Sequence, residues 1–374
     1  MKKSLVALAA FAAVGAFAQS SVTLSGNIKG GVAQTKYSNG AAPAVNGNGL
    51  SVSDGSSRFI IGGTEDLGGG LKAVFQIDTR FRLDDNGAAP TASPLATGNT
   101  FVGLSGGLGM IQIGKMDTHY CLGTDQHGAR ATALQASSCG LLGFVNGGGA
   151  AQAIANASRS VNMIRYTTPN FSGFQGQANY STAFQGSEGA PGQAGKGRAI
   201  QLGLNYGNGP LKAGVSFWDA ESESRVAGAA RGDQEAGTAF INWDFGVATV
   251  GLTYDSSEIN GGVIGGAAAE NRRRAYSIPV TVPLGAGTFL FTYTKARDVK
   301  LNGATTANTG ASLFSVGYDY ALSKRTSLGV SYAKLNNKSA AGYALYTQGS
   351  LNGTPNNAVG QDAAQLYLGV RHAF

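Results

Sequence analysis

The sequence predicts an all-β fold, a transmembrane antiparallel β-barrel of about 16 strands whose long third outer loop folds into the lumen. Three observations lead to this fold class. Apolar and polar residues alternate along most of the chain, as they do in strands with one apolar and one polar face. Short and long connections also alternate, as they do on the two rims of a membrane barrel. The chain ends on an alternating segment that closes with Phe374.

The composition agrees with a barrel. The 374 residues include 58 glycines, and only 13% are charged; the mean hydropathy is -0.04. A helical membrane protein would be more apolar, whereas a barrel with a wet lumen averages near zero. After the N-terminal region, no segment has the roughly 18 consecutive apolar residues of a spanning helix.

Residues 1–18 are predicted to be a signal peptide, and residues 19–374 a single barrel domain. Two lysines precede an apolar run that ends in the small-residue pattern AFA at 16–18, so cleavage is expected before Gln19. A membrane anchor is the alternative, but the apolar run is short for a bilayer span. An exported protein of this kind is periplasmic, secreted or an outer-membrane barrel, and the periodicity decides among these classes.

The segment LKAVFQIDTRFRL at 71–83 shows the alternation on which the strand predictions depend. Leu71, Phe75 and Phe81 share an apolar face, and the opposite face carries Asp78 and Arg80. One strand of a soluble sandwich would look similar, so the pattern must recur around a whole circuit. Strands are predicted at 21–35, 56–66, 70–83, 99–106, 108–116, 160–168, 173–183, 197–207, 210–218, 234–244, 246–255, 271–282, 286–296, 311–321, 325–335 and 363–374.

The connections between these strands are sorted by length. Turns of a few residues form one predicted rim, and long loops form the other, which is typical of outer-membrane barrels. Pro279 is the exception to the strand pattern, because proline is rare in interior strands. The long loops are 36–55, 84–98, 117–159, 184–196, 219–233, 256–270, 297–310 and 336–362. We number them as the first to eighth outer loops.

The third outer loop, 117–159, is the longest connection, and the alternation is absent from it. It holds both cysteines and a short helix-like patch at 129–136. A connection of this length inside a compact protein is usually functional or disordered. We expect it to fold back into the lumen and narrow it.

Aromatic residues lie toward the strand ends, for example Tyr180, Trp243 and Tyr254. Strand propensity explains each one alone, but their shared position relative to the turns favours an interfacial girdle. On the last strand, apolar residues from Leu366 alternate up to the terminal Phe374. This ending resembles the C-terminal recognition signal of outer-membrane barrels.

Several segments together resemble the general, non-specific porins of Gram-negative bacteria, of the β-proteobacterial type. They are TEDLGGGLKA at 64–73, FVGLSGGLG at 101–109 and RYTTPNFSG at 165–173, followed by the terminal Phe374. The resemblance covers essentially the whole mature chain. It implies a homotrimer of sixteen-stranded barrels in the outer membrane, with the third outer loop as the constriction. It also implies a water-filled channel for passive diffusion of small hydrophilic solutes and ions.

The same resemblance implies a basic cluster on the barrel wall facing this loop. Alternation places a set of cationic side chains inward, and the loop contributes acids. One departure is Gly98, where such porins often carry an arginine. The predicted constriction residues are Lys29, Arg58, Arg80, Arg82, Arg159, Asp117 and Asp125. Lys72 and Asp78 are placed on the same inward faces. Because cations outnumber acids, we expect an anion preference.

Cys121 and Cys139 both lie in the third outer loop. Export through the oxidising periplasm permits a disulfide between them, and two free thiols are the alternative. A bridge would close a loop of about 18 residues and restrict it by roughly 3 kcal/mol on the entropy model.

Other chemistry is sparse, so the sequence predicts no enzyme, cofactor, metal site or nucleic-acid partner. The pattern GLSGG at 103–107 matches a nucleophile elbow, but that elbow needs a helix after the turn. His119, His127 and His372 show no metal-binding spacing. The alternatives left open are a substrate-specific outer-membrane channel and, third, a barrel-based outer-membrane hydrolase or adhesin.

Overall fold

A computed structural model describes most of the chain. The described residues are 20–39, 47–53, 57–81, 83, 95–118, 136–142, 144–146, 151–153, 159–184, 196–221, 233–264, 267–347 and 358–374. The predicted signal peptide lies outside these residues. Within them, no helix is long and apolar enough to cross a bilayer.

Sixteen antiparallel strands form a closed barrel. The first strand closes it, because its first part pairs with the second strand from Ser21↔Thr64 and its second part pairs with the last strand as far as Ser38↔Asp362. The strands are β1 (Ser21–Ser38), β2 (Ser57–Gly68), β3 (Leu71–Phe81), β4 (Thr100–Gly106), β5 (Gly109–Asp117), β6 (Arg159–Thr167), β7 (Phe174–Ser181), β8 (Arg198–Asn208), β9 (Leu211–Glu221), β10 (Asp233–Asp244), β11 (Thr249–Ile264), β12 (Ala267–Leu284), β13 (Gly287–Ala296), β14 (Ala311–Ala321), β15 (Thr326–Asn337) and β16 (Asp362–Ala373).

These strands confirm the predicted barrel, with ends that differ from the predicted ones by a few residues at most positions. The largest differences are at β11 and β12, which extend further toward the outer rim. The prediction that residues 36–55 form a loop is wrong in part, because Gly47–Ser53 is a strand paired with β1. Leu50 and Val52 in it are 72% and 58% exposed, so this extension repeats the outward alternation of the barrel strands.

The two faces of the wall are clearest on β16. Leu366, Leu368 and Val370 are exposed on the outer surface, whereas Tyr367, between the two leucines, is fully buried. In a closed barrel, the outer face meets lipid and the inner face meets the lumen and its contents. The outward alternation predicted for the last strand is therefore confirmed.

Pro279 lies within β12, as the alternation predicts, and the neighbouring strand accommodates it. In the ladder between β11 and β12, Gly251 would lie opposite Pro279 and Leu252 opposite Ile278. These two pairs are missing. A Cβ on Gly251 would lie 3.0 Å from the proline ring and would overlap Asn242. Proline is tolerated here because a glycine leaves room for the ring beside the interrupted ladder.

In the described part of the third outer loop, Cys139–Leu142 forms a short helix, α1. The helix-like patch predicted at 129–136 lies almost entirely outside the described residues, and its last residue belongs to a strand. That strand, Ala136–Ser137, pairs with Tyr346–Thr347 of the eighth outer loop. Two further short hairpins join Phe144–Asn146 to Ala151–Ala153 and Lys300–Leu301 to Ala304–Thr305.

Candidate functional site

Arg58, Asp78 and Arg80 form an ionic cluster on the inner face of β2 and β3. Arg58 and Arg80 are register partners, and Asp78 is two residues from Arg80, so all three side chains share one face. Each guanidinium lies 3.5 Å from Asp78 Oδ2. The Asp78 side chain is 1% exposed and that of Arg58 is 34% exposed. The carboxylate is therefore buried behind cationic groups, and Arg58 remains accessible to solvent.

Gly98 packs against Asp78. Its backbone N–H donates to the Asp78 carbonyl oxygen at 2.8 Å, and a Cβ at this position would overlap the Asp78 carboxylate. The glycine that departs from the porin pattern therefore makes room for an acid. In this chain, Asp78 fills the space that a side chain at position 98 would need.

A second ionic cluster joins Asp117, at the end of β5, to Arg159, at the start of β6. The Arg159 Nε lies 3.2 Å from Asp117 Oδ1, and the two residues are register partners. Asn99 Nδ2 donates to Asp117 Oδ2 at 2.9 Å, and the Asn99 backbone N–H donates to Asp78 Oδ2 at 3.4 Å. Asn99 therefore links the two clusters through their carboxylates.

The strand that carries Arg159 is irregular. The register of β5 and β6 shifts between Ser160 and Met163, so a bulge separates Arg159 from Tyr166. The alternation argument that turned Arg159 inward assumes an unbroken strand, and the bulge invalidates that argument. Arg159 lies beside the cluster as the register partner of Asp117 and through its ion pair with that carboxylate.

Two arginines that the sequence reasoning did not select also belong to this region. Arg165 Nε donates to Asn179 Oδ1 at 2.9 Å, and its Nη2 donates to the Asp117 carbonyl oxygen. Arg371 on β16 is the register partner of Lys29 on β1. Arg371 follows the outward Val370, so the alternation of the last strand could have predicted that its side chain lies on the inner face.

Lys29 is 3% exposed, and its ammonium nitrogen lies 6.0 Å from the centre of the Tyr367 ring. Its backbone N–H donates to Ser57 Oγ at 3.0 Å. Desolvated cations near an aromatic face gain from the ring quadrupole. The lysine is thus held against the wall beside Arg371.

Among the residues that the structure describes, cationic groups outnumber acids in this inner region. Asp319 on β14, 4% exposed, is a further carboxylate on the wall and is separated from β16 by β15. The cationic residues are Lys29, Arg58, Arg80, Arg159, Arg165 and Arg371; the acids are Asp78, Asp117 and Asp319. We call this set the basic cluster. Six cations against three carboxylates leave it with positive formal charge.

The remaining predicted residues either lie outside the described residues or are distant from the cluster. Arg82 and Asp125 lie outside the described residues. Lys72 lies at the turn end of β3, eight positions from Arg80, which is about 27 Å along a strand. Lys72 is therefore too far away to act with Arg58 and Arg80.

Helix α1 contacts the wall on β12, β13 and β14. Arg273 Nη2 donates to the Leu142 carbonyl oxygen and lies 2.9 Å from Asp255 Oδ1. Leu141 and Leu142 are 0% and 3% exposed and share an apolar cluster with wall residues. Those wall residues include Ala275, Ala296 and Leu313. They alternate with the outward residues Tyr276, Lys295 and Phe314.

Cys139, in α1, is disulfide-bonded. Cys121, the other cysteine of the sequence, lies outside the described residues, as do His119 and His127. His372 lies on β16, where Nδ1 is 2.9 Å from Thr326 Oγ1.

The GLSGG segment lies in a β-hairpin. Ser105 belongs to β4, which ends at Gly106, the turn follows at 107–108, and β5 begins at Gly109. No helix follows the turn, so the geometry of a nucleophile elbow is missing.

Comparison with known proteins agrees with the barrel. The sequence profile of a family described as Gram-negative porin matches residues 4–340. The chain is 34% identical over 381 residues to outer membrane porin protein 32 of Delftia acidovorans, and the match covers 100% of both chains. It is 29% identical to an outer membrane porin protein of Bordetella pertussis, over 89% of this chain and 94% of the other.

Among solved structures, the fold is similar to an anion-selective porin from Comamonas acidovorans. The TM-score is 0.74 at 25% sequence identity, and the match covers 95% of this chain and 100% of that one.

Proposed function

The chain belongs to the Gram-negative porin family, and we propose that its channel prefers anions and is narrowed by the third outer loop beside the basic cluster. It is an outer-membrane porin, a water-filled channel for passive diffusion of small hydrophilic solutes and ions, and not an enzyme. The ion preference, the residues that produce it and the position of the loop are our proposals.

The observation that carries the anion preference is the excess of cationic groups in the basic cluster. Asp78 is buried and bonded to two arginines, so it is poorly placed to attract a passing cation. The 34% exposed side chain of Arg58 presents its charge to the lumen. Cationic residues that line a narrow path favour anions. The similar porin from Comamonas acidovorans is described as anion-selective, which supports the same preference here.

The inward position of the third outer loop is supported by the contacts of α1. Leu141 and Leu142 are buried against side chains that alternate with lipid-facing residues. The hydrogen bond from the fully buried Arg273 attaches the carbonyl end of α1 to β12. A loop that crosses from β5 to the opposite wall at β12 would narrow the opening next to the basic cluster.

The same proposal includes three further features. The first 18 residues direct export and are removed, the mature chains assemble as homotrimers within the lipid of the outer membrane, and Cys139 is bridged to Cys121. The apolar outer faces of the strands supply surface for both lipid and neighbouring copies. A mass measurement in mild detergent that finds only monomers would argue against the trimer.

The test is planar-bilayer recording from the purified, refolded protein under a potassium chloride gradient. We expect stepwise ohmic conductance and a zero-current potential whose sign shows anion preference. Small neutral solutes should pass, as measured by liposome swelling. A cation-selective potential would refute the proposed preference, while absence of any conductance from correctly folded barrels would refute the channel.

A further inference from the structure

The eighth outer loop lies between β15 and β16, and its residues 341–345 are buried. Ala341 and Tyr343 are 0% exposed, and Leu345 is 8% exposed. All three belong to the apolar cluster that contains Leu141 and Leu142 of α1. A loop at the rim of a barrel ordinarily faces water, so burial of a tyrosine and a leucine here requires a packing partner. That partner is the third outer loop and the wall behind it.

The backbones of the two loops are also joined. Tyr346 pairs with Ser137, and Thr347 pairs with Ala136, in an antiparallel two-stranded ladder. Neither strand belongs to the barrel sheet. Pairing of such short strands is marginal by itself, so the ladder depends on the apolar contacts beside it.

The base of the eighth outer loop is fixed by Asn337, the last residue of β15. Its Nδ2 donates to the carbonyl oxygens of Tyr343 and Gln361 at 2.8 and 2.6 Å. Its Oδ1 accepts a hydrogen bond from the Tyr343 backbone N–H at 3.2 Å. One amide side chain therefore holds the buried tyrosine and the far end of the loop together.

Helix α1 has only four residues, and a helix this short is not stable alone in water. Its position must be set by its neighbours. Arg273 holds the Leu142 carbonyl oxygen from the wall, and Tyr343 and Leu345 of the eighth outer loop belong to the same apolar cluster as Leu141 and Leu142.

We infer that residues 338–347 of the eighth outer loop are a second positioning element of the constriction, which holds α1 in place together with Arg273. This inference rests on the proposed function, because it assigns a role to the third outer loop as the constriction. The width of the channel then depends on two loops that are far apart in sequence. Loosening the eighth loop should free α1 without touching any residue of the basic cluster.

The experiment compares Tyr343→Ala and Asn337→Ala with the wild type as assembled protein. Tyr343→Ala removes the buried ring, and Asn337→Ala removes the hydrogen bonds at the base of the loop. Tyr332→Ala is the matched control, because Tyr332 lies on the outer face of β15 and is 38% exposed. Hydrogen exchange of the Leu141 and Leu142 amides, which donate to the Ser138 carbonyl oxygen, reports on α1. Single-channel conductance and open-channel current noise report on the width.

For both loop variants we expect the α1 amides to exchange about tenfold faster or more, because local opening frees them once the packing is lost. Conductance and current noise should both rise, and the Tyr332→Ala control should match the wild type. If Tyr343→Ala does not fold, Asn337→Ala tests the inference alone, since it leaves the apolar side chains in place. Unchanged exchange and unchanged conductance in a folded loop variant would overturn the inference. Faster exchange at unchanged conductance would instead refute the third outer loop as the constriction, and with it the proposed function of that loop.

Discussion

Replacing Arg58 by glutamine is expected to lower the ratio of chloride to potassium permeability. Arg58 is a solvent-accessible cation of the cluster, with a side chain that is 34% exposed although it lies 3.5 Å from the buried Asp78. Glutamine removes the charge and keeps most of the side-chain length. The substitution therefore changes the electrostatic potential of the pore more than its width.

The size of the effect follows from the distance between the permeating ion and the guanidinium. At about 7 Å, a unit charge contributes about 0.6 kcal/mol in bulk water and about 2.4 kcal/mol at an effective dielectric constant near 20. Salt with a Debye length of about 8 Å reduces these values by roughly half. This electrostatic free energy is favourable for chloride and unfavourable for potassium, so it counts twice in the ratio of chloride to potassium permeability. Because Arg58 is one-third exposed and has a carboxylate beside it, the lower end applies, and we expect a fall of about two- to fivefold.

The assay is the zero-current potential across a bilayer under a potassium chloride gradient, recorded near physiological salt and again at about 1 M, where the Debye length is about 3 Å. The matched control is Lys72→Gln, which removes a lysine charge about 27 Å along the same strand from Arg80. The control should leave the potential near the wild-type value. If Arg58→Gln forms trimers and conducts with the wild-type potential at low salt, our assignment of the basic cluster as the source of selectivity is refuted.

Three other substitutions or treatments test neighbouring parts of the account. Asp78→Asn removes the acid beneath Arg58, so it should raise the chloride preference about two- to fivefold by the same electrostatic reasoning, measured by the same potential. Protein unfolded without reductant should show no reactive thiol if Cys139 is bridged, and Cys139→Ser should loosen the third outer loop by about 3 kcal/mol; two labelled cysteines would exclude the bridge. At Asp298, burial raises the pKa of the carboxyl, but hydrogen bonds from Lys338 and two backbone N–H groups outweigh it, so the pKa is lowered overall. A carboxyl whose pKa is lower in the folded state stabilises the fold at pH values above its unfolded pKa, which is near 3.9. That stabilisation is lost as the pH falls through the folded-state pKa. Asp298→Asn should therefore reduce the unfolding temperature at pH 7, and the difference from the wild type should disappear in strong acid; a difference that is the same at both pH values would contradict this contribution.

The barrel strands were predictable because each strand separates two different solvents. Lipid outside and water inside impose an alternation that is visible on β3 and β16 residue by residue. Arg58 and Arg80 were found by this rule, because both strands are regular where they pair. Arg371 obeys the same rule and could have been found in the same way, opposite the outward Val370.

Arg159 is a residue whose orientation the alternation rule alone cannot give. The bulge between Ser160 and Met163 changes the parity of β6, and no local signal in the sequence marks the extra residue. Asn99 was also missed, because it precedes β4 in an irregular segment and acts through its amide and its backbone N–H together. A residue of this kind has no periodic pattern, and its role depends on where Asp78 and Asp117 meet in space.

The contact between the third and eighth outer loops could not have been predicted from the sequence. It joins Ala136–Ser137 to Tyr346–Thr347, two segments about two hundred residues apart, by a ladder too short to give an alternation. Tyr343 and Leu345 look like ordinary residues of a long loop. Only the closed barrel, which places β15 next to β16 and opposite β5, brings these segments to one place.

The most direct test of the central claim is the zero-current potential of the unmodified protein under a potassium chloride gradient. The cationic excess of the basic cluster predicts a potential with the sign of anion preference, which decreases as salt is raised because the fixed charges are screened. A potential with the sign of cation preference at low salt would contradict the account.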